Sequence, residues 1–241
     1  CPTCRLELPY QELTPNLSLR SSIEEWKRRN MDFKFQAAIP GITSNDHSVQ
    51  NKALEEMQVL MEMPHYTAKV AQEGLITKFV EILKDNRLNK MAALKCIYYL
   101  AKYSDNDKEA IVDAGAIRRI VKNLYEGEVL PVAVAVLLEL SVKETLGEKI
   151  GNTKDCIPLL VSLLDNKNPD ISQKADKVLQ NLTFNTHFVV KMAEAGHFQP
   201  FVACFNKGPQ ETRASMAADL IKMQLKENSI KDLKDKQFIH N

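Results

Sequence analysis

The chain of 241 residues is 44% apolar, 26% charged and 7% aromatic, enough apolar material to bury a substantial core in one or two domains. Its 32 basic and 31 acidic residues give a formal net charge of +1, so no bulk charge favours nucleic acid or an anionic membrane. The longest nearly uninterrupted apolar run, Val129 to Leu138, contains Pro131 and is too short to span a bilayer. The sequence therefore predicts neither a nucleic-acid-binding protein nor a transmembrane helix.

Five cysteines, an odd number, stand at positions 1, 4, 96, 156 and 204. The last three lie within apolar helical patterns, where a free thiol behaves as a small hydrophobe. This usage is typical of a reducing, intracellular compartment. The chain begins at Cys1 with no initiator Met and no leader, and we expect that residues of the natural protein precede it and that others follow Asn241.

Cys1-Pro2-Thr3-Cys4-Arg5 opens the chain as a C-x-x-C motif with three competing interpretations. A redox motif would begin a helix at its first cysteine, where the helix dipole lowers the thiol pKa, and Pro9 disfavours that helix. Half of a structural zinc site needs further ligands, and no Cys or His follows before His47, so any partners would lie upstream of residue 1. The third interpretation depends on the residues that follow.

The segment from Leu13 to Trp26 predicts a short amphipathic helix after a proline-containing loop, with Thr14 as N-cap and Pro15 as its first residue. Three apolar residues recur at the spacing of one helix face and are expected to be buried: Leu19, Ile23 and Trp26. Two favourably ordered ion pairs are expected on the exposed face: Glu24 with Arg28, and Glu25 with Arg29.

The stretch from Met31 to His47 contains Pro40, Gly41 and several polar turn formers, and it is predicted to break any helix that enters it. We interpret residues 33–47 as a linker between a domain of residues 1–32 and one of residues 48–241. Phe33 and Phe35 within the linker leave two possibilities open: docking against the first repeat, or exposure in a hinge.

A repeat of about 40 residues occupies the remainder of the chain. Gly74, Gly115, Asp155 and Gly196 are spaced 41, 40 and 41 residues apart, in the range of helical solenoid repeats. At offsets +2, +5, +6 and +9 from these four anchors every residue is apolar, which is the spacing of one buried helix face. The sixteen are Ile76, Phe79, Val80, Leu83, Ile117, Ile120, Val121, Leu124, Ile157, Leu160, Val161, Leu164, Phe198, Phe201, Val202 and Phe205.

Each anchor is predicted to form a tight, positive-φ corner, and Asp155 is among the few residues other than glycine that tolerate one. A second helix follows in each unit, and a short helix leads to the next anchor. One repeat cannot offset the entropy of ordering its own residues, so the units must stack. The prediction is an all-α superhelix with a long concave face, a partial repeat at 48–68 and repeats anchored near 74, 115, 155 and 196.

The repeat length and the residues at the helix corners resemble those of the armadillo repeat. Glu194-Ala195-Gly196 and the segment from Asp113 to Ile117 resemble its helix corner, and Asn181-Leu182-Thr183 resembles the end of its third helix. Armadillo proteins that carry basic localisation signals line their groove with asparagines just before that third-helix leucine. The equivalent groove-lining candidates here are Tyr99, Glu139, Asn181 and Asp219. With one asparagine among them, a nuclear import receptor is disfavoured; the carboxylates either favour a basic peptide segment or are solvated positions without a partner.

Residues 1 to about 30, with the pattern C-P-x-x-R followed by L-x-P-N-x-x-L-R-x-x-I-x-x-W, resemble the second half of a U-box, the zinc-free relative of the RING domain. The whole arrangement is similar to plant U-box armadillo E3 ubiquitin ligases, in the senescence-associated branch with long arrays. This resemblance implies the C-terminal half of a small α+β U-box before the solenoid. Cys4 departs from the U-box pattern, so a RING variant or residual zinc-binding ancestry stays open.

The resemblance implies an E3 enzyme without a covalent nucleophile, cofactor or metal, which docks a ubiquitin-loaded E2 and positions the thioester for a substrate lysine. Three residues match positions that contact E2 and ubiquitin or hold the loop that does: Pro2, Arg5 and Asn16. The simpler roles are turn geometry for Pro2, a solvated charge for Arg5 and a helix-start hydrogen bond for Asn16. The solenoid would bind a substrate or regulator.

The alternative function is a non-catalytic armadillo scaffold whose degenerate U-box remnant does not engage E2. A cytoplasmic location is expected, with peripheral association at the plasma membrane as the other possibility. These 241 residues alone are expected to lack transfer activity, because a U-box uses two E2-contacting loops and this chain shows one.

Overall fold

The computed structural model of the chain describes residues 15–84, 89–125 and 127–222, with backbone alone for 219–222. Within these residues the chain forms α-helices and one short 3-10 helix, and no strand. Cys1, Pro2, Cys4 and Arg5 lie outside the described residues. The predicted U-box half over residues 1–32 is therefore described only from Pro15 onward.

Helix α1 spans Leu17–Ile42, and Asn16 is its N-cap. The prediction of Thr14 as N-cap and Pro15 as first helical residue is wrong: the Asn16 side chain satisfies a first-turn amide, which starts the helix two residues later. The expected helix break over 31–47 is also wrong as far as Ile42, because α1 continues through Pro40 and Gly41. Only residues 43–46 form a turn, so the placement of a linker at 33–47 stays a prediction that the continuous helix does not favour.

Thirteen further α-helices follow in the described part of the chain, and they repeat in a pattern of three. The short first helices are α3 (Pro64–Gln72), α6 (Asp105–Asp113), α9 (Glu144–Gly151) and α12 (Thr186–Glu194). The second helices are α4 (Ile76–Ile82), α7 (Ala116–Asn123), α10 (Cys156–Ser162) and α13 (Phe198–Lys207). The long third helices are α2 (His47–Leu60), α5 (Lys90–Tyr103), α8 (Leu130–Ser141), α11 (Pro169–Asn181) and α14 (Gln210–Lys222). The 3-10 helix Leu163–Asp165 follows α10.

Side-chain caps and prolines set where many of these helices begin. Asp46 accepts from the amides of Ser48 and Val49, and Asn89 accepts from the amide of Ala92 at 2.9 Å. Pro131 occupies the first turn of α8, where backbone amides have no acceptor within the helix, so a proline there costs no hydrogen bond. The starts of α2, α5 and α8 are therefore determined by a capping side chain or a proline at the beginning of each helix.

All four repeat anchors adopt the predicted left-handed conformation. The backbone φ is 70° at Gly74, 78° at Gly115, 62° at Asp155 and 97° at Gly196. Each anchor lies between a first and a second helix, so it turns the chain sharply between them. The unusual residue of the set, Asp155, is the one positive-φ residue other than glycine in the described residues.

The sixteen periodic apolar residues form the predicted inner face. Twelve are buried; Val161, Leu164, Val202 and Phe205 are half-buried, and none is exposed. The buried residues of α1 to α12 form one continuous cluster, and α12, α13 and α14 contribute a second. Cys96 and Cys156 are buried free thiols whose pKa is raised by burial, as expected of small hydrophobes.

Polar bonds between equivalent helices reinforce this core at intervals of one repeat. Lys149 Nζ lies 2.9 Å from Asp113 Oδ1, which joins α9 to α6. Arg119 Nη1 donates to the Val80 carbonyl at 2.5 Å, which joins α7 to α4. The predicted stacking of repeats into an all-α solenoid is thereby confirmed.

Candidate functional site

The long helices α2, α5, α8 and α11 pack side by side, and their outer surface is called the long-helix face. The four groove candidates each fall on a long helix: Tyr99 on α5, Glu139 on α8, Asn181 on α11 and Asp219 on α14. Tyr99, Glu139 and Asn181 are half-buried, and the Asp219 side chain lies outside the described residues. Their role in binding a peptide stays a prediction.

A tyrosine cluster that sequence reasoning did not find surrounds Tyr99. Its ring is 5.5 Å from that of Tyr98 and stacks at 6.3 Å on Tyr103. Burial, and secondly the charge of Glu62, raise the pKa of Tyr99. Lys102 lies over the Tyr98 and Tyr103 rings at 5.7 and 5.4 Å. The spacing of these rings on one helix was visible in the sequence, but the Glu62 contact crosses a repeat and was not.

Asn181 is partly committed to holding two repeats together. Its Nδ2 donates to Ser141 Oγ at 2.9 Å, and that hydroxyl donates to the Leu138 carbonyl at 2.9 Å. Asn181 lies on α11 and the buried Ser141 is the last residue of α8, so this bond joins the two helices. Asn181 therefore has a structural role on the long-helix face whether or not it also meets a ligand.

The middle of the long-helix face is apolar. Val132 and Leu138 are half-buried and pack against the core, and Val142, at the end of α8, is largely exposed. Glu139 stands among them as the charged residue of this α8 surface. Such a face offers apolar contact and one carboxylate rather than a row of amide groups.

At the start of α1, Asn16 Oδ1 accepts a hydrogen bond from the Leu19 amide at 2.9 Å. This is the helix-start bond expected as the simpler role for Asn16, and it fixes where α1 begins. Pro2 and Arg5, the other two predicted E2-contacting residues, lie outside the described residues. Their proximity to Asn16 stays a prediction.

The apolar stripe of α1 is exposed, which contradicts the expectation that it belongs to a core. Leu19, Ile23 and Trp26 are all exposed, with Trp26 at 65% of its full accessibility. Their spacing was correct for one helix face, but no described element packs over that face. Phe33 is exposed and Phe35 is buried, so the two alternatives for these rings each hold for one of them.

The opposite, charged side of α1 forms a network. Glu25 contacts both Arg28 and Arg29 at 2.7 Å, which confirms the second predicted ion pair, and these bonds hold the pKa of its carboxyl below the ordinary value. Glu24 pairs with Arg20 at 3.0 Å instead of the expected Arg28. These pairs are exposed and stabilise the helix only slightly.

A polar and aromatic link joins α1 to α3. Asp32 Oδ1 accepts from Lys69 Nζ at 2.7 Å and from the Tyr66 hydroxyl at 3.1 Å. The Lys69 bond lowers the pKa of Asp32, while burial, followed by the Asp32 bond, raises the pKa of Tyr66 to about 12. The buried Phe35 ring lies 5.5 Å from the Tyr66 ring. Helix α1 is thus fixed on the first described repeat.

The sequence is similar to curated plant U-box domain-containing proteins. U-box domain-containing protein 43 of Arabidopsis thaliana is 30% identical over 226 residues, 90% of this chain and 28% of that protein. Protein 44 of the same name and organism is 28% identical over 242 aligned positions, 97% of this chain and 30% of its own length. U-box domain-containing protein 24 of Oryza sativa subsp. japonica is 29% identical over 232 residues, 90% of this chain and 28% of that protein. The chain spans about 30% of the length of these relatives, and no family model matches it.

Designed armadillo repeat proteins are among the solved structures with the same fold. Computationally designed armadillo repeat proteins for modular peptide recognition superpose with a TM-score of 0.63 at 18% identity, over 86% of this chain and 93% of theirs. A designed armadillo repeat protein in complex with the peptide (KR)4 gives a TM-score of 0.59 at 19% identity, over 88% and 93% of the two chains. The predicted armadillo-type superhelix is confirmed. No described helix has both the length and the apolar character needed to cross a membrane.

Proposed function

We propose that this chain, a homologue of plant U-box domain-containing proteins folded as an armadillo-type solenoid, functions as an E3 ubiquitin-protein ligase. Its N-terminal segment docks a ubiquitin-loaded E2, and its long-helix face binds the substrate or a regulator. One observation carries the proposal: the match to protein 44 leaves out 3% of 241 residues, about 7 residues, so it extends into the segment before α1. The homology therefore covers part of the U-box-like string as well as the solenoid.

Catalysis in this proposal is positional. Arg5 has a planar guanidinium that can hydrogen-bond E2 and ubiquitin at once, which restricts the thioester to reactive orientations. Pro2 gives its loop a fixed backbone angle for the E2 contact. Asn16, through its bond to the Leu19 amide, fixes where that loop ends. A substrate lysine supplies the nucleophile.

The link between α1 and α3 supports a positional mechanism. A substrate on the solenoid reaches the E2 thioester only if the two binding surfaces keep a defined separation. α1 runs unbroken from Leu17 to Ile42, and its second half is fixed by the Asp32 bonds and by buried Phe35. The candidate E2-binding end and the first repeat therefore behave as one rigid unit over this helix.

The long-helix face supports recognition of a peptide segment with both basic and apolar residues. Lys102 already lies over the Tyr98 and Tyr103 rings, so Tyr99 is the ring of this cluster that offers an aromatic surface for a guanidinium or ammonium group, and Glu139 offers a carboxylate. The α8 surface beside Glu139 offers apolar contact. The designed relative solved with (KR)4 is a precedent for a basic peptide on this fold.

The test is E2-dependent self-ubiquitination by the gene's full-length product, compared with Arg5→Ala across a broad panel of E2 enzymes. Lys27→Ala is the matched control, because Lys27 is an exposed cation on α1 that is not among the residues of the U-box pattern. We expect Arg5→Ala to abolish chain formation and Lys27→Ala to leave it unchanged, with equal helicity of all three proteins by circular dichroism. Equal transfer by Arg5→Ala and wild type would overturn the role of Arg5.

A non-catalytic armadillo scaffold is the second candidate, for which computationally designed armadillo repeat proteins for modular peptide recognition are a precedent. In that case no E2 of the panel supports transfer by the wild type. Peptide binding to the long-helix face would then remain and would be weakened by Tyr99→Ala. The same experiment therefore separates the two functions.

A further inference from the structure

A dense group of cations lies around α7 and includes none of the groove candidates or tyrosines of the long-helix face. Two neighbouring cavities of about 540 and 380 Å³ open beside α7, and both are lined by Arg118 and Lys122. Four further cations complete the two walls: Lys84, Lys90, Arg119 and Lys154. These six residues are called the basic pocket. Three successive units contribute to it, so only the stacked solenoid brings it together.

The charge of the basic pocket is unbalanced. Among the described residues that line the larger cavity there is no acid, and Asp155 is the one acid lining the smaller cavity. Among the described lining residues six cations thus face one carboxylate, whereas the chain as a whole carries a net charge of +1. Across the described residues, no ion pair involves Arg118, Lys122, Lys84 or Lys154. Like charges held this close favour binding of an anion, which a concave wall concentrates further.

Part of the pocket is pre-organised. Arg119 donates to the Val80 carbonyl at 2.5 Å, which holds its guanidinium at the boundary between α4 and α7. Asn123, only 2% exposed, donates to the Arg119 carbonyl at 2.8 Å, while its Oδ1 has no partner among the described residues. These two bonds hold Arg119 and its turn of α7 in place in the wall of the larger cavity.

We propose that the basic pocket binds a compact ligand with several phosphate groups, either a free polyol phosphate or the phosphorylated headgroup of a lipid. A phosphate carries close to two charges and three acceptor oxygens, so a few of them match six cations within this small volume. Arg118 and Arg119 offer the planar donors that bind phosphate through two bonds. An acidic peptide would spread single charges along an extended backbone and fill the cavities less well. This activity is separate from the proposed ligase function and does not depend on it.

Isothermal titration calorimetry of the 241-residue chain with inositol hexakisphosphate at physiological salt tests the proposal. We expect saturable binding that weakens by roughly tenfold or more in Arg118→Glu/Lys122→Glu. The control Lys34→Glu/Lys52→Glu makes the same change in net charge on exposed cations elsewhere, and it should bind like the wild type. Arg118 and Lys122 are themselves exposed, so the variant should keep the thermal unfolding of the wild type; Arg118→Gln/Lys122→Gln is a milder second variant.

A second arm identifies the source of the phosphates. Sedimentation of the chain with phosphatidylcholine vesicles that contain phosphatidylinositol bisphosphate, lost in the pocket variant, would assign a lipid headgroup; binding of the free polyol phosphate alone would assign a soluble ligand. The proposal is overturned if neither probe binds, if the pocket variant binds like the wild type, or if the control loses binding equally. It is also overturned if a polyglutamate peptide competes as well as the phosphate, because the pocket then recognises acidic peptides.

Discussion

The Asp32 carboxylate on α1 accepts a hydrogen bond from the Tyr66 hydroxyl on α3, with 3.1 Å between Oδ1 and the hydroxyl oxygen. The same oxygen accepts from Lys69 at 2.7 Å, and the Lys69 ammonium lies 4.9 Å from the centre of the Tyr66 ring. These contacts bridge 34 and 37 residues of sequence. They connect the helix of the U-box-like segment to the solenoid by a bond whose strength depends on ionisation of Asp32.

Acid should weaken this link. The pKa of Asp32 is lowered in the folded chain, so its stabilising contribution is complete above the ordinary aspartate value, near 4, and disappears as the pH falls through the lower folded value. Asp32→Asn should therefore reduce the free energy of unfolding at pH 7 by at most about 1 kcal/mol, because both partners are more than one-third exposed. Urea unfolding as a function of pH measures this.

The difference between wild type and Asp32→Asn should shrink toward zero in acid. Glu24→Gln, which changes an exposed carboxylate on the same helix, is the control and should show a smaller difference at pH 7. A gap between wild type and Asp32→Asn that stays constant down to the lowest pH would contradict the assignment of the link to the ionised carboxylate.

The corner glycines should be sensitive to a single methyl group for reasons of backbone conformation alone. A Cβ at Gly74 would meet no atom within 4 Å, yet the φ of 70° disfavours any residue with a Cβ. Gly74→Ala should therefore cost about 1 kcal/mol. Gly127→Ala is the matched control because it also meets open space, without the positive φ. Thermal unfolding of the two variants should differ, and equal stability would contradict the strained corner.

The contact between α1 and α2 should show coupling at Gly41. A Cβ added there would lie 2.6 Å from the Ala53 Cβ, closer than two methyl groups can approach. Gly41→Ala should destabilise the chain by roughly 1 to 3 kcal/mol, as overpacking does. In the double variant Gly41→Ala/Ala53→Gly the methyl group has room, so the two changes together should cost less than their sum. An additive double-mutant cycle would show that α1 does not pack on α2 at this point.

Trp26 provides an optical test of the exposed stripe. As the chain's single tryptophan, and a residue that is 65% exposed, it should emit like a solvated indole and be strongly quenched by acrylamide. Phe35→Trp/Trp26→Phe places the reporter at a site that is 1% exposed and should protect it from the quencher. A blue-shifted, protected Trp26 in the wild type would mean that this face is covered in solution.

The repeat was predictable because it is encoded several times over. Each of four anchors requires a positive φ and is followed by four apolar residues. A misleading residue in one unit is therefore outweighed by the equivalent residues of the other three. Even Asp155 was assigned correctly, since few residues besides glycine accept that corner. The sequence could not show which of Phe33 and Phe35 is buried, because their burial depends on contacts of α1 with α2 and α3, which lie further along the chain.

The errors arose where local signals compete with tertiary contacts. Pro40 and Gly41 are turn formers, but Gly41 lets α1 approach Ala53 closely, and the packing keeps the helix intact through Ile42. Trp26 has core-like spacing, yet spacing reports only that residues share a face and not that another element covers it. The basic pocket could not be predicted from the sequence, because its cations are scattered over three units and the net charge of the chain is nearly zero.

The central claim is that this chain positions an E2 thioester for attack, and discharge of ubiquitin from a loaded E2 onto free lysine tests it most directly. This reaction needs no substrate on the solenoid, so it separates E2 activation from recognition by the long-helix face. The account predicts that the gene's full-length product accelerates discharge, that Arg5→Ala abolishes the acceleration, and that Tyr99→Ala leaves it intact. Discharge at the uncatalysed rate with every E2 of a broad panel, from a fully helical wild-type protein, would contradict it.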